Sequence, residues 1–355
     1  MFRIEILPAK QGDAIVVQYG KGPKYARILI DGGPTNAAKA FKSRLCSLPP
    51  GEREFELMVM THVDADHIEG VVRLLRSKDV KPKVCEVWFN GWKHLSDKLG
   101  PVQGEYLTGQ IEMQKIPWNT MFKGRAVMVP DTAKLQSVIL PDGMQLTILS
   151  PDSNKLENLR KEWKKVVEEA GLVPGVSKKA LIKLEKARGL GPLDRLGDWV
   201  AKYADSSFTS DDSEANGSSI AFLAEYDGAS CLFLGDAHPD VIEDSLKRLI
   251  EERRETRLRV DAVKLSHHGS KNNLNPNILK LIRCTRYIVS TNGDKFGHPD
   301  IEAIARVIKY GGPSAEIYFN YANTKNSFDS ATDMKRYGYK AVYPKTGTEG
   351  IVIEL

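Results

Sequence analysis

The most informative segment of this 355-residue chain reads Leu57-Met58-Val59-Met60-Thr61-His62-Val63-Asp64-Ala65-Asp66-His67. Its apolar start predicts a short buried strand, and the apolar side chains from Val71 to Leu75 recur at helical spacing. The polar residues therefore lie where a strand meets a helix. Among them, His62, Asp64, Asp66 and His67 offer the imidazole nitrogens and carboxylate oxygens that bind zinc and related divalent ions. Because an extended-to-helical turn points neighbouring side chains to different sides, we interpret this H-x-D-x-D-H pattern as ligands for two adjacent metal ions.

An apolar strand followed by polar residues recurs three times toward the C-terminus. The polar segments are Gly235-Asp236-Ala237-His238, Ser266-His267-His268-Gly269-Ser270 and Gly297-His298-Pro299. Of the seven histidines, we select five at strand ends as candidate site residues: His62, His67, His267, His268 and His298. We interpret Asp236 as a bridging metal ligand, because it follows an apolar strand in a chain that already contains the H-x-D-x-D-H pattern. The strand before His267 and His268, with the glycine after them, places both imidazoles at the rim of a cleft.

The composition excludes several classes of protein. With 41% hydrophobic and 27% charged residues, the chain can bury a core and is neither disordered nor collagen-like. It has no run of about 18 apolar residues, and its N-terminus alternates like a strand instead of forming a signal peptide, so we expect a cytoplasmic protein without a membrane span. The formal charge of +5 permits a polyanionic partner without requiring one. The four cysteines form no C-x-x-C pair, which favours reduced core thiols.

The order of predicted strands and helices indicates an α/β fold in one domain that spans residues 1–355. A helical insertion is expected at about residues 153–205. There, charged periodic runs at 156–170 and 178–188 are separated by glycine and proline residues. Two interpretations of this insertion stay open. It either covers one edge of the core or forms a cap that contacts the substrate or a protein partner.

Together these motifs resemble the metallo-β-lactamase superfamily, and most closely the branch found as the nuclease-like domain of the DNA-uptake channel protein ComEC. The resemblance covers most of the chain outside the insertion. Besides the three segments above and the H-x-D-x-D-H pattern, it includes Gln11-Gly12-Asp13-Ala14, Ile30-Asp31-Gly32-Gly33 and Asn216-Gly217-Ser218-Ser219. It implies a four-layer αββα sandwich with a two-metal site at one edge of its two sheets.

The resemblance also implies how the metal ligands divide. His62 and Asp64 would bind the first ion, Asp66 and His67 the second, and Asp236 would bridge them. Two divalent ions are expected as cofactors, Zn²⁺ first and Mn²⁺ as the alternative.

Two assignments stay open within this scheme. Either His267 or His268 would complete the second metal site; we favour His268, which leaves His267 to orient the substrate or donate a proton. Asn216 occupies the position where the family usually has a histidine. It is either a weak oxygen ligand of the first ion, which would favour Mn²⁺, or the cap of a turn.

The reaction implied is hydrolysis of a phosphodiester, so we expect a nuclease that acts on DNA or RNA through a metal-activated water. Asp66 would help to fix that water, and His298 would contact a phosphate oxygen or protonate the leaving group. Lys264, Lys271 and Lys295 would neutralise the phosphate backbone.

Two alternatives remain. One is a metallo-hydrolase of a small ester, thioester, lactam or choline-phosphate substrate. The other is a non-catalytic subunit of a multi-protein system, for example in defence, that docks through the insertion. The sequence predicts neither the polymer nor the oligomeric state.

Overall fold

The computed structural model describes residues 1–77, 80, 82–95, 102–132, 134–169, 199–322 and 326–355. Their strands are β1 (Phe2–Ile6), β2 (Ile15–Tyr19), β3 (Ala26–Ile30), β4 (Glu54–Phe55), β5 (Leu57–Val59), β6 (Lys83–Val84), β7 (Val87–Trp88), β8 (Ser137–Ile139), β9 (Gln145–Ser150), β10 (Ala221–Tyr226), β11 (Ala229–Phe233), β12 (Leu258–Arg259), β13 (Ala262–Lys264), β14 (Ile282–Arg283), β15 (Arg286–Val289), β16 (Glu316–Phe319), β17 (Lys340–Val342) and β18 (Ile351–Glu354). Their α-helices are α1 (Ala38–Cys46), α2 (Ala65–Arg76), α3 (Val102–Met113), α4 (Ser153–Glu169), α5 (Trp199–Ala204), α6 (Glu214–Gly217), α7 (Pro239–Arg253), α8 (Pro276–Leu281), α9 (Ile301–Tyr310) and α10 (Ala331–Tyr337).

The larger strands form two sheets. The first has the order β18-β1-β2-β3-β5-β7, and the second has the order β17-β16-β15-β13-β11-β10-β9-β8. In the first sheet β3, β5 and β7 run parallel, and in the second β11, β13, β15 and β16 do so. The carboxyl ends of parallel neighbours share one edge of a sheet, so the polar segments that follow these strands are brought to common edges.

The first sheet is apolar on both faces, which requires a layer on each side. In β3, Ile28 and Ile30 belong to the core shared with the second sheet, whereas Leu29 belongs to the core with α1, α2 and α3. This split follows from the two-residue period of a strand. The outer face of the second sheet is covered by apolar residues of α7, α8 and α9. These layers confirm the predicted α/β fold of αββα type.

The largely apolar run from Val84 to Phe89 does not form a single strand. Its first part, β6, pairs with β4, and its second part, β7, pairs with β5. The chain changes partner at Glu86, whose buried carboxylate accepts hydrogen bonds from the backbone N–H and the hydroxyl of Thr120. The break between β6 and β7 is therefore not visible in the local sequence. It depends on the contact between Glu86 and Thr120, which are 34 positions apart.

The predicted insertion lies partly outside the described residues. The described helix α4 packs Leu156, Leu159 and Trp163 into the core outside the first sheet, and α5 packs along α9. The helix expected at 178–188 lies outside the described residues, so the division into a domain and an insertion stays a prediction. Among the helices that the structure describes, none has the length and apolar character needed to cross a bilayer.

Two glycines allow α2 to pack directly against the loop after β3. The N–H of Gly32 donates to the carbonyl oxygen of His67, and the N–H of Gly70 donates to that of Gly33, both at 2.8 Å. A Cβ added to Gly70 would lie 1.8 Å from the carbonyl oxygen of Gly32. The position of the helix that carries Asp66 and His67 therefore depends on the missing side chain of Gly70.

We expect Gly70→Ala to destabilise the protein by about 2 to 3 kcal/mol, because backbone must shift to admit the methyl group. Urea unfolding measures this change. Gly228→Ala is the control for backbone strain without a clash: Gly228, unlike Gly70, has a positive φ, of 85°, and no atom lies within 4 Å of its added Cβ. It should cost about 1 to 2 kcal/mol. Equal losses in the two variants would show that close packing of α2 is unimportant.

Candidate metal centre

The predicted site residues come together where strand ends of the two sheets meet. The H-x-D-x-D-H segment follows β5, Asp236 follows β11, and His267 and His268 follow β13. Backbone hydrogen bonds join these segments: Ile220 N–H donates to the Thr61 carbonyl at 2.8 Å, and His267 N–H donates to the Gly235 carbonyl at 2.9 Å. The tertiary fold thus brings segments separated by about 200 positions into one site.

Asp236 lies at the centre of four imidazoles. Its Oδ2 atom is 3.3 Å from Nε2 of His67, 3.6 Å from that of His268, and 3.9 Å from those of His62 and His267. The residue is only 2% exposed. This is the placement that a carboxylate shared between two ions requires.

The donor atoms fit a divalent ion. In the described part of the chain, Nε2 of His62, His67 and His268 and Oδ1 of Asp236 are buried without a hydrogen-bond partner. Leaving a buried polar atom unpaired costs about 1 to 3 kcal/mol, so several such atoms in one place indicate a ligand. Two of the groups whose ligand atoms lie within 4.8 Å of one another consist entirely of predicted ligands: His62 with His67 and Asp236, and Asp66 with His67 and His268.

Each of these three histidines is held at its other ring nitrogen. The Nδ1 contacts are His62 with Thr61 Oγ1 at 3.0 Å, His67 with Asp31 Oδ2 at 2.8 Å and His268 with the carbonyl oxygen of Ser290 at 2.9 Å. When Nδ1–H donates to such a partner, the lone pair of Nε2 is directed toward the site, which is how metal-binding histidines are oriented. Asp31 and Ser290 were not predicted as site residues, although Asp31 lies in a segment quoted for the family resemblance.

Negative charge dominates the interior of the site. Burial lowers the pKa of His67, but the carboxylates of Asp236 and Asp31 outweigh burial and hold this pKa well above its ordinary value. Burial raises the pKa of Asp236, but His67 and His268 hold it well below its ordinary value. Asp64, whose side chain is 44% exposed, has its Oδ2 3.6 Å from Nε2 of His62. A site with these charges attracts cations.

A second group of polar residues surrounds His267. Its Nδ1 lies 3.0 Å from Oδ1 of Asn273 and 3.3 Å from Oδ2 of Asp211. The amide of Asn216 donates to the same Asp211 oxygen at 2.7 Å, while Ser213 caps helix α6. Asp236 and Asp211 outweigh burial and raise the pKa of His267 to about 9. Sequence reasoning missed Asp211 and Asn273, because neither follows an apolar strand and Asp211 lies in a polar run that resembled a loop.

The structure corrects the prediction that Lys264 contacts a substrate. This residue is 1% exposed, and its ammonium group donates to Oδ2 of Asp13 at 2.5 Å and to the carbonyl of Leu265 at 3.0 Å. Oδ1 of Asp13 in turn lies 3.5 Å from Nδ1 of His268. Lys264 therefore neutralises a carboxylate behind the cluster of histidines and aspartates and does not reach the surface.

The other predicted substrate contacts lie toward the surface. The His298 ring is 5.1 Å from that of His267, and its Nδ1 is 3.4 Å from Oδ2 of Asp300. Lys295 is exposed and lies 4.4 Å from the centre of the Phe296 ring. Lys271 pairs with Glu302 at 3.1 Å, which partly neutralises it.

Comparisons with known proteins find similarity in structure only. No protein-family model and no curated protein matches the chain. Solved structures that match include the metallo-β-lactamase fold protein YhfI from Bacillus subtilis, with 11% identity and a TM-score of 0.41 over 100% of this chain and 99% of that chain. Zn²⁺-bound PqqB from Methylobacterium extorquens has 10% identity and a TM-score of 0.43 over 100% of both chains. The diiron β-hydroxylase CmlA from Streptomyces venezuelae has 12% identity and a TM-score of 0.40 over 99% of this chain and 54% of that chain.

At these identities the fold assignment rests on the strand order and the layers described above. The metal-binding interpretation rests on the buried histidine and aspartate atoms of this chain.

Proposed function

We propose that this protein is a metal-dependent hydrolase that cleaves phosphodiester bonds in DNA or RNA. The observation that carries the proposal is the set of buried Nε2 atoms around Asp236, each on a ring held at Nδ1. The motifs that resemble the ComEC branch support the choice of a phosphodiester.

The metal ligands divide as the sequence predicts in this proposal. His62 and Asp64 would hold one ion, Asp66, His67 and His268 would hold the other, and Asp236 would contribute to both. Two divalent ions bound here would supply an activated water and stabilise charge on the attacking and leaving oxygens. The chain's own contribution is to orient the ligands, through Thr61, Asp31 and Ser290, and to exclude water from their inner side.

Residues toward the surface favour a nucleic acid as the substrate. Phe296 is 50% exposed, with the Lys295 ammonium beside its ring and the His298 ring 6.3 Å away. Proteins bind single strands with exposed aromatic side chains, which stack on bases, and with nearby cations, which pair with phosphates. His298 lies between this surface and His267, where it contacts a phosphate oxygen or protonates the leaving group.

The direct test is cleavage of single- and double-stranded DNA and RNA in the presence of Zn²⁺, Mn²⁺ or Mg²⁺. The wild-type protein should cut at least one polymer, and chelation of the metal should stop the reaction. An Asp64→Ala/His67→Ala variant should be inactive. If the wild-type protein cuts none of these polymers with any of the metals, the proposal is wrong.

Phe296→Ala should raise KM for a short oligonucleotide by about tenfold, since stacking on an aromatic residue contributes about 1 to 3 kcal/mol per base. The same variant should hydrolyse bis(p-nitrophenyl) phosphate at the wild-type rate, because this small diester does not need the stacking surface. Steady-state kinetics with each substrate measures KM for the oligonucleotide and the rate of hydrolysis of the small diester. Met113→Ala, which removes another exposed apolar side chain, is the control and should change neither value. An equal loss on both substrates would contradict a base-stacking role.

One observation favours a small substrate instead. Burial and the carboxylates of Glu214 and Asp64 raise the pKa of Glu162, so acidic side chains also converge beside the site. Acidic side chains beside the site repel a polyanion and attract a cationic group such as that of choline phosphate. Hydrolysis of p-nitrophenyl phosphorylcholine or of a panel of chromogenic esters, without cleavage of any polymer, would establish this second function.

A further inference from the structure

We propose that His267 is a ligand of the first metal ion, beside His62 and Asp64, and that Asn216 positions His267 instead of binding the ion. This inference deepens the proposed function and rests on its metal centre. It does not depend on which substrate is cleaved.

His267 is oriented in the same way as the three other imidazoles around Asp236. Its Nδ1 is held by Asn273 Oδ1 at 3.0 Å, and its Nε2 faces Asp236 Oδ2 at 3.9 Å. His62, a ligand of the first ion, has the same 3.9 Å distance to that oxygen. His298 differs, because in the described part of the chain its ring pairs with Asp300, at 3.4 Å from Nδ1 to Oδ2, and not with Asp236. His267 thus shares with the metal ligands an Nε2 that faces Asp236, and its neighbour His298 does not.

The backbone is strained in a way that turns both adjacent histidines to one carboxylate. His267 has φ 46° and ψ 52°, and His268 has φ 55° and ψ 20°. Each left-handed non-glycine residue costs about 1 to 2 kcal/mol. Successive side chains of an extended strand point to opposite sides, whereas here Nε2 of His267 and His268 lie 3.9 and 3.6 Å from Asp236 Oδ2. Strained backbone conformations persist in proteins mainly at functional sites, where the surrounding structure holds them in place. Here the strained conformation directs a second imidazole toward Asp236.

Asn216 is connected to His267 through hydrogen bonds. Its amide nitrogen donates to Asp211 Oδ2 at 2.7 Å and lies 3.4 Å from Nδ1 of His267. Asn273 donates to the same Asp211 oxygen at 2.9 Å and to the backbone carbonyl of Asp236 at 3.1 Å. Asp211, Asn216 and Asn273 therefore form one hydrogen-bonded group around the outer nitrogen of His267.

The assignment also completes the first metal site. Asn216 stands where the family resemblance leads one to expect an imidazole. With His62 and Asp64 alone, the first ion would have two ligands of its own besides Asp236. Addition of His267 would restore an imidazole to this site and give the first ion three ligands of its own besides Asp236.

Metal content tests the assignment without using activity. Zn²⁺ and Mn²⁺ bound to purified wild-type, His267→Ala, Asn216→Ala and His298→Ala proteins should be measured by elemental analysis and calorimetric titration. We expect about two equivalents in the wild type and in His298→Ala. His267→Ala should retain one equivalent and bind the other at least about tenfold more weakly, and Asn216→Ala should show a smaller loss. Two tightly bound equivalents in His267→Ala, or loss of an ion from Asn216→Ala alone, would overturn the proposal.

A His267→Cys variant gives a gain of signal if alanine disturbs folding. A cysteine thiolate that binds Co²⁺ produces a charge-transfer absorption, which should appear in cobalt-loaded His267→Cys and be missing from cobalt-loaded His298→Cys. A cobalt-loaded His267→Cys protein without this band contradicts ligation at this position. A wild type that binds two ions and cleaves no phosphodiester would refute the proposed function while leaving this assignment intact.

Discussion

Asp236→Ala should lose both metal ions and all metal-dependent hydrolysis. The Asp236 carboxylate lies within 3.9 Å of four imidazole nitrogens, so in the proposed two-metal site its removal would withdraw a ligand and a negative charge from both ions at once. Loss of a side chain that merely supports a ligand weakens metal binding by about 10- to 100-fold. We therefore expect the dissociation constant of each ion to rise by at least about 100-fold, as measured by calorimetric titration.

Asp240→Ala is the matched control for this variant. Asp240 lies four residues away in the first turn of α7, is 62% exposed at its side chain and pairs with Lys155 at 2.8 Å. It should keep both ions and full activity. If Asp236→Ala also retained two equivalents of metal, Asp236 would not be the bridging ligand, and every catalytic interpretation of this site would need revision.

Lys264→Met should destabilise the protein by about 3 to 5 kcal/mol, which is typical for breaking a buried ion pair at one partner. The variant leaves Asp13, whose side chain is 2% exposed, as a buried carboxylate without its cation. The double variant Asp13→Asn/Lys264→Met should recover most of the loss, because it removes both charges. Urea unfolding measures all three proteins. A loss confined to substrate affinity, with stability unchanged, would restore Lys264 as a substrate contact.

The pair Lys340 and Glu316 provides the comparison at the surface. These side chains are 64% and 31% exposed and lie 3.1 Å apart, so Lys340→Met should change stability by less than about 1 kcal/mol. The difference between the two lysine variants isolates the effect of burial from that of charge.

The buried pair also makes stability depend on pH. Burial raises the pKa of Asp13, but Lys264 and His268 outweigh it and hold the pKa below its ordinary value. A carboxyl group with a lowered pKa stabilises the folded state above its unfolded pKa of about 4, and this contribution is lost as the pH falls below that value. The wild type should therefore lose more stability between neutral and acid pH than the double variant does.

Much of the fold and of the site was predictable from local signals. The apolar residues Leu57 to Met60 predict a strand, and the polar residues after β5, β11 and β13 follow strands whose carboxyl ends meet. The segment with the H-x-D-x-D-H pattern contains both an apolar strand and the polar residues that follow it. The break between β6 and β7 was not predictable in this way, because an apolar run looks the same whether or not its residues change partner.

The orientation of the side chains could not be predicted from local sequence patterns. His267 and His268 are adjacent in the sequence, and only the distances from both Nε2 atoms to Asp236 show that their rings face the same carboxylate. Asp211 and Asn273 belong to the site through hydrogen bonds to His267, a contact that no periodicity indicates.

Local sequence patterns predicted most strands and helices and the residues capable of binding a metal that follow them, because spacing and turn chemistry act over a few residues. Which atoms face one another depends on the tertiary structure. Lys264 meets Asp13 across 251 positions of the chain and is thereby withdrawn from any substrate, while His267 turns inward beside His268. Such contacts depend on how the two sheets pack and how strand ends align, and these are properties of the folded chain as a whole.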